Sequence, residues 1–540
     1  MKKKTETIGG VLRFFIDAEP DPMIIRWPPD AFACAALLLE KSGAYLAALS
    51  GELSPAIKSN ISWQKHAKQL GDKWRTSAML GKNPPRQITA LWKRILSALH
   101  QPLSCIAQKR GTDIRNTLME ILAAADEACA GAGIWDDFLD QFDSQCIQHL
   151  VAQLETKAPS TLCKEIPADK LCVLPKMHTP QFGITIRSLS HNLSLLLASE
   201  VRPIWQPLIA GDLPRERHGL NVLVVPWPLQ ISPAAFSESP DKPLNADHSR
   251  FRHFDYNGAS RGPFDIQKLE KLVNQARQET GSVDIIILPE LALRSSDFKK
   301  ISKLVSKMTP RPIVIAGISK PGPSSDDKPL NSCMTIVPVQ GSQSVFYQHK
   351  HHRWLMDGNQ VRQYGLGGVL DPTIDWWENM HLSPRELRFV SCYPWLTFSN
   401  LICEDLARPD PVTTLLRAVG PNLVFALLMD GPQLASRWPA RYATVLADDP
   451  GSSVLTVSSL GMVKLSRPPG KPESRIVALW KDARSGAPLE IELPHDHQAI
   501  LLSLSHEMRN EVTADGRNDG GAASYLSLSG IHPIKIGHKP

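Results

Sequence analysis

Three reactive side chains stand far apart in this chain, each at the end of an apolar, strand-like run. Glu290 closes Ile-Ile-Ile-Leu-Pro-Glu, Lys350 sits in Tyr-Gln-His-Lys-His-His-Arg, and Cys403 follows Leu-Ile and precedes Glu-Asp-Leu-Ala-Arg-Pro. A thiol on a tight strand-to-helix turn is exposed, and a helix N-terminus lowers its pKa toward the thiolate, the form that acts as nucleophile. Glu404 and Asp405 directly after Cys403 push the other way, so the site needs a nearby cation, and Lys350 is the candidate. Glu290 lies at the exit of the most apolar run in the chain, marked by Pro289. A carboxyl there is partly desolvated, and the raised pKa that follows suits a general base. Each residue alone has a plainer reading, as a core cysteine, a surface lysine and a salt-bridging or capping glutamate. Together they supply a nucleophile, a cation and a base.

The order Glu, Lys, Cys and the sequence around it resemble the nitrilase (carbon–nitrogen hydrolase) superfamily over about residues 218–508. Leu-Pro-Glu290-Leu-Ala-Leu is similar to the family's Pro-Glu strand end, Lys350-His-His352 to its Lys-x-His, and Cys403-Glu-Asp405 to its nucleophile elbow. Gly420-Pro-Asn-Leu-Val-Phe, Trp438-Pro-Ala-Arg-Tyr-Ala and Val454-Leu-Thr-Val-Ser resemble the strand, helix and strand that follow. The resemblance implies a layered α+β fold, an α-β-β-α sandwich. It also implies hydrolysis of a non-peptide carbon–nitrogen bond in a small amide-like substrate, with nitriles the minority chemistry. On the mechanism the resemblance implies, Glu290 takes the proton from Cys403, and the thiolate attacks the carbonyl carbon. Lys350 and the backbone N–H of Glu404 hold the oxyanion. The amine leaves, and water hydrolyses the thioester with Glu290 again as base. No cofactor and no metal is called for, and a homo-oligomer, dimer or larger, is implied.

Two segments depart from the family pattern. Many members carry a second glutamate in the loop after the lysine, before a Tyr/Phe-x-Pro-Gly element. Here Tyr364 and Gly367 fit, but Gln360 or Gln363 stands near the expected acid. After Leu423–Leu428 the chain has Met429-Asp430-Gly431-Pro432 in place of the family's Pro-Ser type of loop. His352, Gln360, Tyr364 and Asp430 are therefore the candidates for the substrate pocket.

The elements that must position these residues change character along the chain. Residues 1–160 read as a helical domain, with helical runs at 28–46, 59–80, 84–99, 111–130 and 134–156 and tryptophans 63, 74, 92 and 135 filling its core. Residues 161–217 read as a proline-bearing linker with a short helix near Ser190–Ser199. From 218 to 508, short β-branched runs alternate with helical stretches, the pattern of a layered α/β domain. Pro233–Arg250 reads as a surface loop and 509–540 as a loose C-terminal tail.

At 540 residues, 42% hydrophobic and 21% charged, the chain is globular and too long for one core. It begins Met-Lys-Lys-Lys without an apolar signal region and holds no run of 18 apolar residues, so the expected location is the cytoplasm, with no membrane partner. Nine cysteines without a C-x-x-C pair point to reduced thiols, with Cys34, Cys129 and Cys146 as core residues. Residues 1–110 hold 17 Lys+Arg against 8 Asp+Glu, and residues 111–160 hold 2 against 9. The basic block is a candidate surface for nucleic acid or a partner protein; alternatively the two blocks pack together or are solvated faces. His349 with His351, and His495 with His497, are weak metal candidates, because no matching carboxylate set accompanies them. Ala447-Asp-Asp449 reads as a helix end. No Gly-x-x-x-x-Gly-Lys-Ser/Thr loop is present.

Two other functional classes remain open on the sequence. The hydrolase-like part could be an effector or assembly module of a bacterial antiphage defence system, triggered by a partner that the helical domain senses. It could also be a pseudoenzyme scaffold, against which the complete Glu-Lys-Cys set counts.

Overall fold

The computed structural model describes residues 6–16, 25–48, 60–136, 138–179, 183–208, 219–240, 251–258, 263–322, 328–408, 412–466, 472–521 and 523–536. The N-terminal part is helical: α1 (Ile8–Ile16), α2 (Pro28–Ser42), α3 (Asn60–Met79), α4 (Arg86–Ser97), α5 (Thr112–Ala128) and α6 (Gln141–Thr156). Two prolines open α2, where a missing N–H costs nothing, and Gly43 ends it in the left-handed conformation at φ 70°. α5 packs against α2, α3 and α4. Trp63, Trp74 and Trp92 are buried in this bundle, but Trp135 is half-buried in the turn before α6. That helix starts at 141, not 134, because Asp140 caps it by accepting the Asp143 N–H at 2.9 Å. The acidic block packs on the basic one. Arg75 of α3 pairs with Asp140 and with Asp143, both at 2.6 Å, and His66 meets Glu120 at 2.9 Å.

Strands follow: β1 (Leu171–Pro175), β2 (Leu193–Leu197), β3 (Arg202–Pro207), β4 (Gly219–Val224), β5 (Phe236–Glu238) and β6 (Phe251–Tyr256). Next come α7 (Ile266–Thr280), β7 (Ile285–Arg294), α8 (Ser295–Val305), β8 (Ile313–Lys320), β9 (Leu330–Val339) and β10 (Ser342–His349). The chain continues through β11 (Leu355–Met356), α9 (Gly358–Gln363), β12 (Asp375–Glu378), β13 (Glu386–Tyr393), β14 (Leu396–Ile402), α10 (Glu404–Ala407), α11 (Thr414–Val419) and β15 (Leu423–Leu428). It ends with α12 (Trp438–Asp448), β16 (Ser453–Ser458), α13 (Leu460–Leu465), β17 (Ile476–Lys481), β18 (Leu489–Glu492), β19 (Ala499–Arg509) and β20 (Ala523–Ile534).

Two seven-stranded sheets, ordered β10-β9-β8-β7-β4-β19-β20 and β18-β17-β16-β15-β14-β13-β3, face each other through contacts of β7 with β15 and β16. Alternation sorts the side chains. Val222, Val224, Ile285, Ile287, Ile313 and Ile315 enter the core between the sheets, while Leu223, Ile286, Leu288 and Val314 point the other way, under α7 and α8. The second sheet is covered by α12, which packs on β16 and β17, and by α6, which packs on β3. The result is a layered α+β architecture, helix on sheet on sheet on helix. A four-stranded sheet, β11-β12-β6-β5, flanks it with its own core of Phe236, Phe254, Trp354, Met356, Tyr364 and Trp376.

Several segments differ from the sequence reading. No helix forms at Ser190–Ser199: Leu193–Leu197 is β2, antiparallel to β1, since a five-residue apolar run finds a partner of its own length more readily than a helix. The transitional segment supplies β3, which joins the edge of the second sheet parallel to β13. The tail supplies β20, paired with β19 from Ala523 to Ile534. Within the segment read as a loop, Phe236–Glu238 is β5, and residues 241–250 lie outside the described residues. No helix among the described residues is long and apolar enough to cross a membrane.

Candidate active site

Each of the three residues stands where regular structure breaks. β7 runs parallel to β8 up to Leu288, then loses register before Leu293, and Leu291 adopts φ 50°. The bulge carries Glu290 inward, and it rests on Gly317 of β8, where a Cβ would stand 2.2 Å from the Pro289 oxygen and 2.5 Å from Glu290 Cα. Cys403 lies just past β14 with φ 45° and ψ −107°, a conformation that non-glycine residues rarely hold. It is pinned on both sides, its N–H donating to the Leu427 oxygen at 2.9 Å and its oxygen accepting from the Leu406 N–H at 3.0 Å. Lys350 follows β10, its N–H donating to the Asn331 oxygen at 2.9 Å. The next two residues are held by the second residue after the cysteine. Asp405 accepts the N–H of His351 at 3.1 Å, the N–H of His352 at 3.0 Å, and His352 Nδ1 at 3.0 Å.

The side chains converge. Lys350 Nζ donates to Glu290 Oε1 at 2.8 Å and to Glu378 Oε2 at 2.6 Å. Asn331 Nδ2 bridges the same two carboxylates, 2.7 Å from Glu290 Oε1 and 2.8 Å from Glu378 Oε1. Glu290 Oε2 is buried and has no hydrogen-bond partner, so it is the oxygen placed to receive a proton. Burial opposes the Lys350 ammonium, but the Glu290 and Glu378 carboxylates outweigh it and hold its pKa above the ordinary lysine value. Burial pushes the Glu290 carboxyl up, with Lys350 opposing and Glu378 reinforcing. The Cys403 thiol is also pushed up, first by burial and then by the charge of Glu290, against the pull of Lys350. At neutral pH the resting site therefore holds a protonated thiol beside a fixed ammonium. Cys403 is 3% exposed, so its side chain is buried at rest, not exposed as a thiol on a tight turn would be.

The remaining predicted residues fall into four groups. His352 supports the lysine loop through Asp405. Tyr364 donates its hydroxyl to Asp430 Oδ1 at 2.6 Å, and Arg437 binds the same oxygen at 2.8 Å, while Asp430 Oδ2 is buried without a partner. The Asp430 charge also pushes the Cys403 thiol up, after burial, Glu290 and Glu404. Glu404 begins α10, so its N–H lies in the first turn, where amides have no partner within the helix; its carboxylate pairs with Arg408 at 3.2 Å. Gln360 does not replace the second glutamate. It is a capping residue of α9, accepting the Asp357 N–H while its own N–H donates to Asp357.

The second acid is Glu378, and with Asn331 it escaped the sequence reading. The signal was a short aromatic run, Asp-Trp-Trp-Glu378, ending in an acid as the β7 run ends in Glu290. It lies beyond the loop in which the acid was sought, and pairing of β12 with β6 carries it in. Neither weak histidine candidate forms a metal set. His349 Nδ1 bonds Ser332 at 2.7 Å, and His351 Nε2 bonds the Glu386 oxygen at 2.7 Å. Between Glu290 and Glu378 the Lys350 ammonium occupies the position a cation would take.

Two facing sheets with outer helices, and a Glu-Lys-Glu-Cys cluster at their shared end, define this chain as a layered α+β protein of the α-β-β-α type. No family model and no curated protein matches it. Among solved structures it is similar to Saccharomyces cerevisiae Nit3, a member of branch 10 of the nitrilase superfamily, at 13% identity and TM-score 0.30, over 60% of this chain and 94% of that one. It is also similar to XC1258 from Xanthomonas campestris, a CN-hydrolase superfamily protein with an arsenic adduct in its active site, at 14% identity and TM-score 0.30, over 53% and 91%. A third is the C. elegans NitFhit protein, at 10% identity and TM-score 0.28, over 53% and 62%. At these scores the likeness bears no weight of its own, and the site's geometry carries the functional reading.

Proposed function

We propose that this chain is a nitrilase-type hydrolase that cleaves a non-peptide carbon–nitrogen bond, most simply an amide, through a thioester on Cys403. The observation that carries the reading is the buried Lys350 clamp, bonded to Glu290 at 2.8 Å and to Glu378 at 2.6 Å, in whose field the strained Cys403 lies. Because the thiol is protonated at rest, its proton passes to Glu290 as sulfur attacks the carbonyl carbon. The oxyanion that forms is met by the Lys350 ammonium and the Glu404 N–H. Glu290 returns the proton to the leaving amine. Water, deprotonated by Glu290, then hydrolyses the thioester and restores the thiol. Asp430 Oδ2, buried and unpartnered, is the acceptor for a substrate N–H or O–H.

Intact-mass spectrometry after exposure to a pool of small amides tests this. An acyl adduct is expected on the wild type, absent in Cys403→Ala and slowed in Glu290→Gln. Absence of any adduct from the wild type, after a small thiol reagent has been shown to reach Cys403, would overturn it.

The burial of Cys403 also supports a gated form of the same chemistry, an effector whose site opens when a partner engages the helical region. Its exposed Lys65, Lys68, Lys73, Lys93 and Arg94 leave a basic surface for nucleic acid, which should release steeply with salt. On that reading acylation begins only after the partner is added, and assembly into a homo-oligomer is checked by light scattering before and after.

A further inference from the structure

Far from Cys403 in sequence and outside its cluster, a second group of side chains has the make-up of a metal site. His178 follows β1, His191 precedes β2, and Asp519 lies between β19 and β20. One ligand atom from each lies within 4.8 Å of the other two, and among the described residues no other group of three His, Cys, Asp or Glu does so. We propose that His178, His191 and Asp519 bind a divalent transition-metal ion of the zinc class, with its remaining coordination facing the adjoining cavity.

The hydrogen bonds around the three residues settle which atoms are offered. His191 Nε2 lies 3.1 Å from the Arg517 backbone oxygen, which can only accept. That nitrogen therefore carries the proton, and Nδ1 keeps the lone pair. Asn192 spends its Nδ2 on the Asp126 oxygen at 3.1 Å, so its Oδ1, 3.2 Å from His178 Nε2, accepts. His178 Nδ1 likewise keeps its lone pair, and it is buried without a hydrogen-bond partner. Asp519 Oδ1 accepts two backbone N–H groups, from Glu511 at 3.0 Å and Gly521 at 2.9 Å. Asp519 Oδ2 is left with no hydrogen bond, on a fully buried side chain. Imidazoles that donate their far N–H to a carbonyl oxygen, and a carboxylate fixed through its other oxygen, are the outer support typical of metal ligands.

Geometry and charge agree. His178 Nδ1 and Asp519 Oδ2 are 3.5 Å apart. Two ligands at roughly 2.0–2.1 Å from a tetrahedral ion stand roughly 3.3–3.4 Å apart. Arg517, whose backbone oxygen holds His191, is answered by Asp126 at 3.0 Å, Glu127 at 2.8 Å and Asp515 at 3.0 Å, while Asp519 faces His178 instead. Two imidazoles and one carboxylate suit zinc and its transition-metal neighbours better than calcium or magnesium. The three residues line a cavity of about 520 Å³ together with Gln64, Lys68 and Asp72 of α3. Three protein ligands at a cavity wall make an open site, unlike a closed structural one.

The test uses the full-length chain after chelator treatment, titrated with Co2+ and then Zn2+. One Co2+ per chain is expected, with the visible bands of a low-symmetry nitrogen–oxygen site that Zn2+ displaces. His178→Gln and Asp519→Asn should each lose affinity by roughly a hundredfold or more, since changes to outer-shell partners alone cost 10–100-fold. A His495→Ala, His497→Ala double variant should bind as the wild type does. Should one variant fail to fold, as judged by circular dichroism, the other carries the comparison. No stoichiometric binding by the wild type, or binding that survives both ligand variants, would overturn the proposal and leave a His178–Asp519 ion pair.

Discussion

The charge on Glu290 and the proton it accepts have opposite effects at Cys403. The carboxylate is the second cause, after burial, that pushes the thiol up, and Lys350 opposes it. Replacing Glu290 by Gln removes the negative charge but keeps the volume, so the thiol pKa falls, with burial still holding it up. Alkylation of Cys403 by iodoacetamide at pH 7 should then speed up, while acylation by an amide, which needs the base, slows by roughly 10²-fold or more. Rates that fall together would mean Glu290 only holds the fold. Glu378→Gln separates differently. It leaves Glu290 its base, but loosens the ammonium that meets the oxyanion, so turnover of the acylating amide should fall roughly 10²-fold with alkylation changed only severalfold. Unchanged turnover would reduce Glu378 to a structural neighbour. Glu290, Lys350 and Cys403 were legible because each ends an apolar run, and local sequence reports strand ends. Glu378 was not, because what brings it in is the pairing of a small side sheet, a contact between segments more than 100 residues apart.

At the scale of elements, the base is held by a bulge, and the bulge depends on a glycine. A methyl at Gly317 would stand 2.2 Å from the Pro289 oxygen, which is backbone and cannot swing away. Gly317→Ala should cost about 1–3 kcal/mol, the usual range for overpacking, and should slow acylation, which needs Glu290 as base, more than alkylation, which does not, because it displaces Glu290. Equal melting temperatures for variant and wild type would show the bulge to be soft. A second element-level device is Asp30 in α2, whose carboxylate accepts the N–H groups of Lys164, Glu165 and Ile166 and ties the bundle to the segment before β1. Burial raises its pKa from 3.8 to about 6, against those three bonds. The folded state thus binds the proton more tightly than the unfolded one. The resulting stabilisation is complete below about pH 4 and is lost as pH rises to about 6, amounting to roughly 3 kcal/mol. The difference in unfolding free energy between wild type and Asp30→Asn should therefore change across pH 4–6 and level off above it. A pH-independent difference would mean Asp30 titrates normally. The central strands after residue 218, such as β7, β14, β15 and β16, were readable because they are short apolar runs buried along nearly their whole length. β3, carrying two prolines, and β20, whose apolar residues are broken up by three serines, a glycine and a histidine, offered no such run and are strands only because an edge was open to them.

The whole molecule does not divide where its sequence changes character. One hydrophobic core runs from Ile8 and Trp74 of the bundle to Val454 and Leu526 of the sheets. The buried Arg517 beyond β19 is neutralised by Asp126 and Glu127 of α5, some 390 positions earlier. Removing one side of such a buried network leaves an unpaired charge and typically costs about 3–5 kcal/mol. β3 also comes from before residue 218, so a chain beginning at 219 would lose an edge strand and two of the three carboxylate partners of Arg517 together. That truncated chain should fail to fold cooperatively, although it keeps Glu290, Lys350, Glu378 and Cys403. The full chain should melt in one calorimetric transition, which Arg517→Ala moves as a whole to lower temperature. Two separable transitions, with only one of them shifted, would mean that the bundle and the sandwich fold independently. They would also remove the mechanical basis for a bundle that opens the site, since a partner bound to α3 can reach Cys403 only through structure that responds as one unit.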